Sequence, residues 1–164
     1  MKKYFEAKAL QVIPSNKTSR IQLIEVEGEK FVRKMAKPKE MIPMDLRNLS
    51  HPNLIKIVDT MESKGWIAII MELCADGSFE KLITDRSISK SAMMAYFQQA
   101  ADAISYLHSL NLCHKTLNAS NFHQKRTGQD DRSAQHRRGT VKMQVEGREN
   151  VWIADAVSSA WREC

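Results

Sequence analysis

The chain has 164 residues, 43% of them apolar and 27% charged, the balance of one ordinary globular domain with enough apolar surface to bury a core. Six glycines and four prolines exclude fibrous or linker-type sequence, and no apolar run approaches the roughly 18 residues that cross a bilayer. The net charge of +6 is uneven, because the stretch from His123 to Lys142 holds six Lys and Arg against two Asp while the remainder is nearly balanced.

The amino terminus carries charge but no apolar h-region, so no secretory signal is expected. Val12–Ile13 and Ile21–Val26 are short β-branched runs separated by the polar cluster from Pro14 to Ser19. Glu27-Gly28-Glu29-Lys30 then reads as the turn of a hairpin leading into Phe31–Met35. Two prolines, Pro38 and Pro43, confine any helix in the next stretch to Pro43–Leu49, under two turns and in need of tertiary support. Leu54–Val58 and Trp66–Leu73 predict two further strands, giving about five in an antiparallel meander.

After Asp76-Gly77 the period changes to helix. Ser78–Asp85 carries Phe79, Leu82 and Ile83 on one face, and a longer helix runs from Ser89 or Ser91 to Leu110 with Met93, Phe97, Ile104 and Leu107 on its apolar stripe. Past Phe122 the periodicity fades until Val151-Trp152-Ile153, and the Lys/Arg-rich, Gln-rich piece from His123 to Gly147 is expected to loop into solvent for want of an apolar face. Cys74, Cys113 and Cys164 are widely spaced without CxxC pairing and read as reduced thiols of a cytoplasmic protein, a nuclear one being the alternative.

Four fragments in order carry a resemblance. Leu49-Ser50-His51-Pro52-Asn53-Leu54-Ile55 precedes the fourth strand. Ile69-Ile70-Met71-Glu72-Leu73-Cys74 forms the fifth strand and the exit from it. Tyr106-Leu107-His108 leads to Cys113-His114-Lys115-Thr116-Leu117-Asn118-Ala119-Ser120-Asn121, and Ile153-Ala154-Asp155-Ala156-Val157 comes last. Together they resemble the fourth strand, hinge, catalytic loop and D-F-G segment of the protein kinase superfamily, the hinge and His51-Pro52-Asn53 looking like serine/threonine kinases and the His114–Asn121 loop like tyrosine kinases. The resemblance implies an α+β, bilobal kinase-like fold: a five-stranded antiparallel N-lobe sheet with a shortened helix C, and an incomplete, mainly helical C-lobe. The implied organisation is an N-lobe over residues 1–75, a partial C-lobe over 76–122, a basic disordered insertion over 123–150, and a D-F-G-like remnant with the chain end over 151–164. The activation segment and closing helices that a kinase places after its D-F-G are not found before Cys164.

The same resemblance assigns roles. Lys34 stands at the third-strand lysine that meets nucleotide phosphates, Met71 at the gatekeeper, and Glu72 and Cys74 where backbone contacts adenine. Asn121 and Asp155 stand at the two metal-ligand positions. The helix glutamate that pairs with the lysine falls on Ile42 or Asp45, because only 17 positions separate Lys34 from His51. The stretch from Ile13 to Arg20 contains no glycine, so the backbone cradle for phosphates is lost. Thr116 occupies the catalytic aspartate position and has no carboxylate to act as a base. Asn118 replaces the lysine that steadies the transferred phosphate, and His114 is expected to hold the catalytic loop. These substitutions imply a pseudokinase that acts by binding a protein partner, with ATP and Mg²⁺ bound weakly or not at all. A divergent active serine/threonine kinase and an adaptor using the basic 125–142 segment for RNA or acidic partners are the alternatives.

Overall fold

A computed structural model of the chain describes residues 2–14, 19–37, 46–63, 65–86, 88–114, 117–126, 139–144 and 151–153. The chain divides into two compact units. One comprises residues up to Ser50 together with Ile55–Leu73; the other comprises His51–Leu54 and the chain from Cys74 onward.

The first unit is the expected five-stranded antiparallel sheet. Its strands are β1 (Ala9–Ile13), β2 (Ser19–Val26), β3 (Glu29–Ala36), β4 (Ile57–Ser63) and β5 (Trp66–Glu72), in the order β1-β2-β3-β5-β4. The β2–β3 hairpin closes in two residues, Glu27 at φ 56° and Gly28 at φ 82°, with Val26 opposite Glu29. Two consecutive positive φ values match the right-handed twist of the flanking strands, and glycine takes one of them without strain.

Strand alternation sends Arg33 and Lys34 to opposite faces. On the Arg33 face, Ile24, Val26 and Ile70 form a core against which Tyr4, Ala7, Phe31 and Val58 pack. Tyr4 belongs to helix α1 (Lys2–Glu6), which the sequence pattern does not announce. Five residues cannot hold a helix in water; here the sheet holds it. Arg33 is only 6% exposed. Its Nη1 donates to the carbonyls of Tyr4 (2.8 Å), Phe5 (2.6 Å) and Ala7 (3.0 Å), while Nε and Nη2 donate to Gln22 Oε1 at 3.1 and 2.8 Å. The guanidinium thus caps the carbonyl end of α1, where the helix dipole is negative. Burial pushes its pKa below the usual arginine value. A Lys3–Glu27 ion pair of 2.7 Å and an edge-on Tyr4–Phe31 contact at 5.3 Å complete the attachment.

The fourth strand begins three residues later than Leu54–Val58 predicts. Leu54 is buried, but it bridges to Met143 of the second unit instead of joining the sheet. Its apolar character reports burial without reporting which strand buries it. Of the short helix expected at Pro43–Leu49, a 3-10 turn spans Leu46–Asn48; Ile42, Pro43 and Asp45 lie outside the described residues.

The second unit is built on α2 (Phe79–Thr84) and α3 (Lys90–Ser109), each opened by a serine cap. Ser78 Oγ accepts from Lys81 N and Ser89 Oγ from Ala92 N, at 3.3 and 3.2 Å. β6 (Leu112–His114) follows α3 and pairs antiparallel with β9 (Val151–Ile153). A 3-10 turn over Ala119–Asn121 leads into β7 (Phe122–Arg126), which forms an antiparallel hairpin with β8 (Gly139–Met143).

This hairpin corrects the expectation of a solvated loop from His123 to Gly147. Gln124, Val141, Met143 and Gln144 are buried, because Phe122, Gln124, Val141 and Met143 alternate onto one face. The basic residues His123, Lys125 and Lys142 take the other face of the ribbon, so charge density hid a strand pair. Residues 127–138 and 145–150 lie outside the described residues.

Exchange of Arg33 for methionine keeps the aliphatic stem but leaves the carbonyls of Tyr4, Phe5 and Ala7, and Gln22, without their donor. Arg33→Met is expected to lower stability by about 2–3 kcal/mol, read as a reduced urea midpoint, with faster tryptic cleavage at Lys3 and Lys8. An unchanged midpoint and cleavage pattern would show that α1 is held by its apolar contacts alone.

Candidate functional site

In the first unit, Lys34 is buried on β3 between its cross-strand neighbours Ile21 and Ile69. Met71 is buried at the end of β5, with Val32 and Ile57 as its cross-strand neighbours. Glu72 comes next and is clasped to the segment before β4: its amide donates to Lys56 O at 3.0 Å, and its carboxylate accepts from Lys56 N at 2.8 Å. Cys74, two residues on, is half-buried. Of the glycine-free stretch, residues 15–18 lie outside the described residues. Arg20 lies over the Trp66 ring, 5.2 Å from its centroid, so its guanidinium is directed to an aromatic face.

In the second unit the catalytic-loop remnant is organised around its backbone. Lys115 and Thr116 lie outside the described residues. Asn118 takes the cap position of the 3-10 turn, where its Oδ1 accepts from Asn121 N at 3.1 Å and from Ser120 Oγ at 2.6 Å. The residue at the phosphate-steadying position therefore spends its amide oxygen on a turn. Asn121 O accepts from Gln144 N at 2.8 Å. Gln144 O in turn meets His114 Nε2 at 2.9 Å, which assigns the ring hydrogen to Nε2. His114 is 6% exposed, and its Nδ1 is buried without a hydrogen-bond partner among the described residues.

The structure thus brings together His114, Asn118 and Asn121 with Gln144, a residue that no motif marks. Its signal is the alternation of Val141 and Met143 with polar neighbours, masked by the surrounding lysines and arginines. Asp155 lies outside the described residues.

A polar clamp positions this arrangement. Gln99 Oε1 on α3 accepts from Asn53 Nδ2 at 3.0 Å and from Val141 N at 2.8 Å. Asn53 Nδ2 also donates to Val141 O at 3.1 Å, and Asn53 O accepts from Met143 N at 2.8 Å. The His51 ring stacks on Tyr106 at 5.1 Å, fixing the same loop to α3. Gln124 Nε2 donates to the Tyr96 hydroxyl at 2.7 Å, satisfying a buried amide of β7.

Along α2 and α3 the second unit leaves an apolar groove of about 450 Å³, lined by Phe79, Ile83, Phe97, Ala101, Ile104 and Leu117 among others. Leu107 is fully buried, whereas Phe97 is 53% and Met94 68% exposed. The stripe on α3 is therefore only partly covered.

The protein kinase domain family profile matches residues 12–131. Curated relatives include Calcium-dependent protein kinase 3 of Plasmodium yoelii yoelii, 31% identical over 100 residues, which are 60% of this chain and 18% of that protein. Serine/threonine-protein kinase SAPK3 of Oryza sativa subsp. indica is 32% identical over 101 residues, covering 59% of this chain and 30% of the relative. The probable serine/threonine-protein kinase fhkD of Dictyostelium discoideum is 36% identical over 78 residues, 47% of this chain and 10% of its own length. The chain thus spans less than a third of each of these relatives.

The kinase domain in general uses ATP and Mg²⁺. Among the described residues, no three His, Cys, Asp or Glu side chains are grouped to hold a metal ion.

The clamp generates a prediction. Gln99→Leu preserves side-chain volume but leaves Val141 N and one Asn53 proton without their acceptor. A loss of about 2–3 kcal/mol is expected, with amide exchange accelerating most at Val141, Met143 and Gln144. Uniform acceleration through the second unit would show that the clamp does not hold β8 specifically.

Proposed function

We propose, from the premise that this chain belongs to the protein kinase superfamily, that it is a member without phosphotransferase activity and works by binding a partner protein. The loss of transfer rests on chemistry that positioning cannot replace. Thr116 stands at the base position and offers no carboxylate to orient or deprotonate a substrate hydroxyl. Asn118 caps a turn, and the glycine-free stretch lacks the backbone cradle for phosphates. ATP binding through Lys34, Met71, Glu72 and Cys74 is proposed to be weak or absent. The same reading places the chain in the cytoplasm, supported by cysteines that lack metal or disulfide spacing.

The observation that carries the partner reading is the open apolar groove on α2 and α3. Half-exposed aromatic and aliphatic side chains in one groove are costly to leave in water, at about 25 cal/mol per Å². From Phe97 to Ile104 the groove follows two turns of α3, roughly 10 Å at 1.5 Å per residue. That length suits the apolar face of an amphipathic helix presenting residues at i, i+4 and i+7.

Two measurements test this. Purified chain incubated with radiolabelled ATP, Mg²⁺ and generic protein substrates is expected to incorporate no phosphate. Incorporation abolished by Lys34→Met would establish an active kinase instead. A labelled amphipathic helical peptide with leucines at i, i+4 and i+7 is expected to bind the chain, and Phe97→Asp to weaken that binding at least about tenfold, near 1.4 kcal/mol. Equal binding by both forms would remove the groove as the docking surface.

A further inference from the structure

The side of α3 that lines the apolar groove carries almost no charge. Between Lys90 and His108 the helix holds one charged residue, Asp102, although Met94, Ala95, Phe97, Gln98 and Ala101 are exposed. A helix face left in water normally carries charged side chains. We infer that this face pairs with the same face of a second copy of the chain, the two α3 helices running antiparallel about a twofold axis at Ala100 and Ala101. This rests on the groove being the docking surface given under Proposed function, and it names the occupant.

The groove-lining positions on the outer side of α3 map onto themselves under that symmetry. Phe97, Ala100, Ala101 and Ile104 line the groove, and their midpoint falls between the two alanines. At 3.6 residues per turn, all four lie within about 50° of one direction. Antiparallel pairing about the midpoint sets Phe97 of one copy against Ile104 of the other, and each alanine beside its own copy. Two bulky residues separated by two small ones make a self-complementary surface. The alanines let the helix axes approach to about 8 Å, and the bulky ends fill the space on either side. Phe97 is 53% exposed, yet its ring stands edge-on to Phe79 at 5.9 Å, so packing holds it where a second copy would meet it.

Charge fits the same register. α3 begins on Lys90 with no acidic residue in its first turn, an unfavourable sign at the positive end of its own dipole. In the antiparallel pair Lys90 comes to the carbonyl end of the other α3, where a cation is favoured. Asp102 lies about 150° from the paired direction and stays in water. The area also suffices. Ile83, Phe97 and Leu117 in the groove and Met94 beside it are 42–68% exposed. On the order of 100 Å² from each gives about 800 Å² over two copies. Backbone and polar rim bring this to the roughly 1,000 Å² of a specific but weak, reversible interface.

The test is analytical sedimentation of the full-length chain from micromolar to submillimolar concentration, with circular dichroism melts confirming that each variant is folded. Wild type is expected to pass from monomer to dimer mass as concentration rises. Ala101→Glu and Ala101→Lys change an exposed position, and each sets like charges side by side at the axis. Each alone is expected to weaken dimerisation at least about tenfold, and an equimolar mixture of the two is expected to recover it as a heterodimer. A wild type that stays monomeric throughout, or a dimer that neither substitution weakens, would overturn the inference. Loss in both variants without recovery in the mixture would refute the antiparallel pairing at Ala101. A monomeric chain that still binds the helical peptide refutes the self-pairing and leaves the partner reading standing. A dimer that transfers phosphate keeps the self-pairing and removes the inactive-kinase reading.

Discussion

A single side-chain oxygen, Gln99 Oε1, determines much of the second unit. It accepts from Asn53 in the loop before β4 and from the main chain of Val141 in β8, joining segments that are 46 and 42 residues from it in sequence. Both donors are buried, and a buried donor left unpaired costs roughly 1–3 kcal/mol. The loop and the strand must therefore both come to α3. Once they do, Leu54 is drawn into a bridge with Met143 and cannot join the first sheet. β8 presses Val141 and Met143 into the core, and Gln144 arrives between His114 and Asn121.

That dependence explains which parts of the fold could be read from sequence. The β2–β3 hairpin is a local matter of β-branched runs around Glu27-Gly28, and α3 is a local matter of apolar period and a serine cap. Both were legible. Helix α1 was not, because its five residues have no intrinsic helical stability and owe their conformation to Arg33, 26 or more residues away. The start of β4 was misread because Leu54 and Ile55 satisfy the apolar pattern of a strand, while the clamp assigns Leu54 to a different partner. The β7–β8 pair was hidden because its outward face carries the charges that suggested solvent. Alternation of Val141 and Met143 was present, but a signal of two residues is weak beside six basic side chains.

The candidate site was legible in a different sense. Its motif residues announce themselves by identity and order, and the family match over residues 12–131 bears out the family that the first three fragments point to, the fourth lying beyond it. Their contacts were not legible. Asn118 reads as a lost phosphate ligand, yet in the fold it is the cap of the Ala119–Asn121 turn. Gln144 has no motif to mark it, yet it is the residue on which His114 and Asn121 converge. Identity can be read from one residue; a hydrogen bond across 30 residues needs both ends and the path between them.

Arg33 and Lys34 sharpen the point. They are consecutive, equally basic and both buried, and strand alternation alone separates them. Lys34 is the one a kinase motif singles out, while Arg33, with five hydrogen bonds to α1, Ala7 and Gln22, is the one whose structural use is visible. The same division runs through the second unit. His114 holds the Gln144 carbonyl, Asn121 holds the Gln144 amide, and Asn118 caps the turn between them, and none of these contacts requires a phosphate or a cation. The presence of His114 and Asn121 in this chain therefore reports on how β8 is anchored. It is neutral evidence on whether phosphate is transferred.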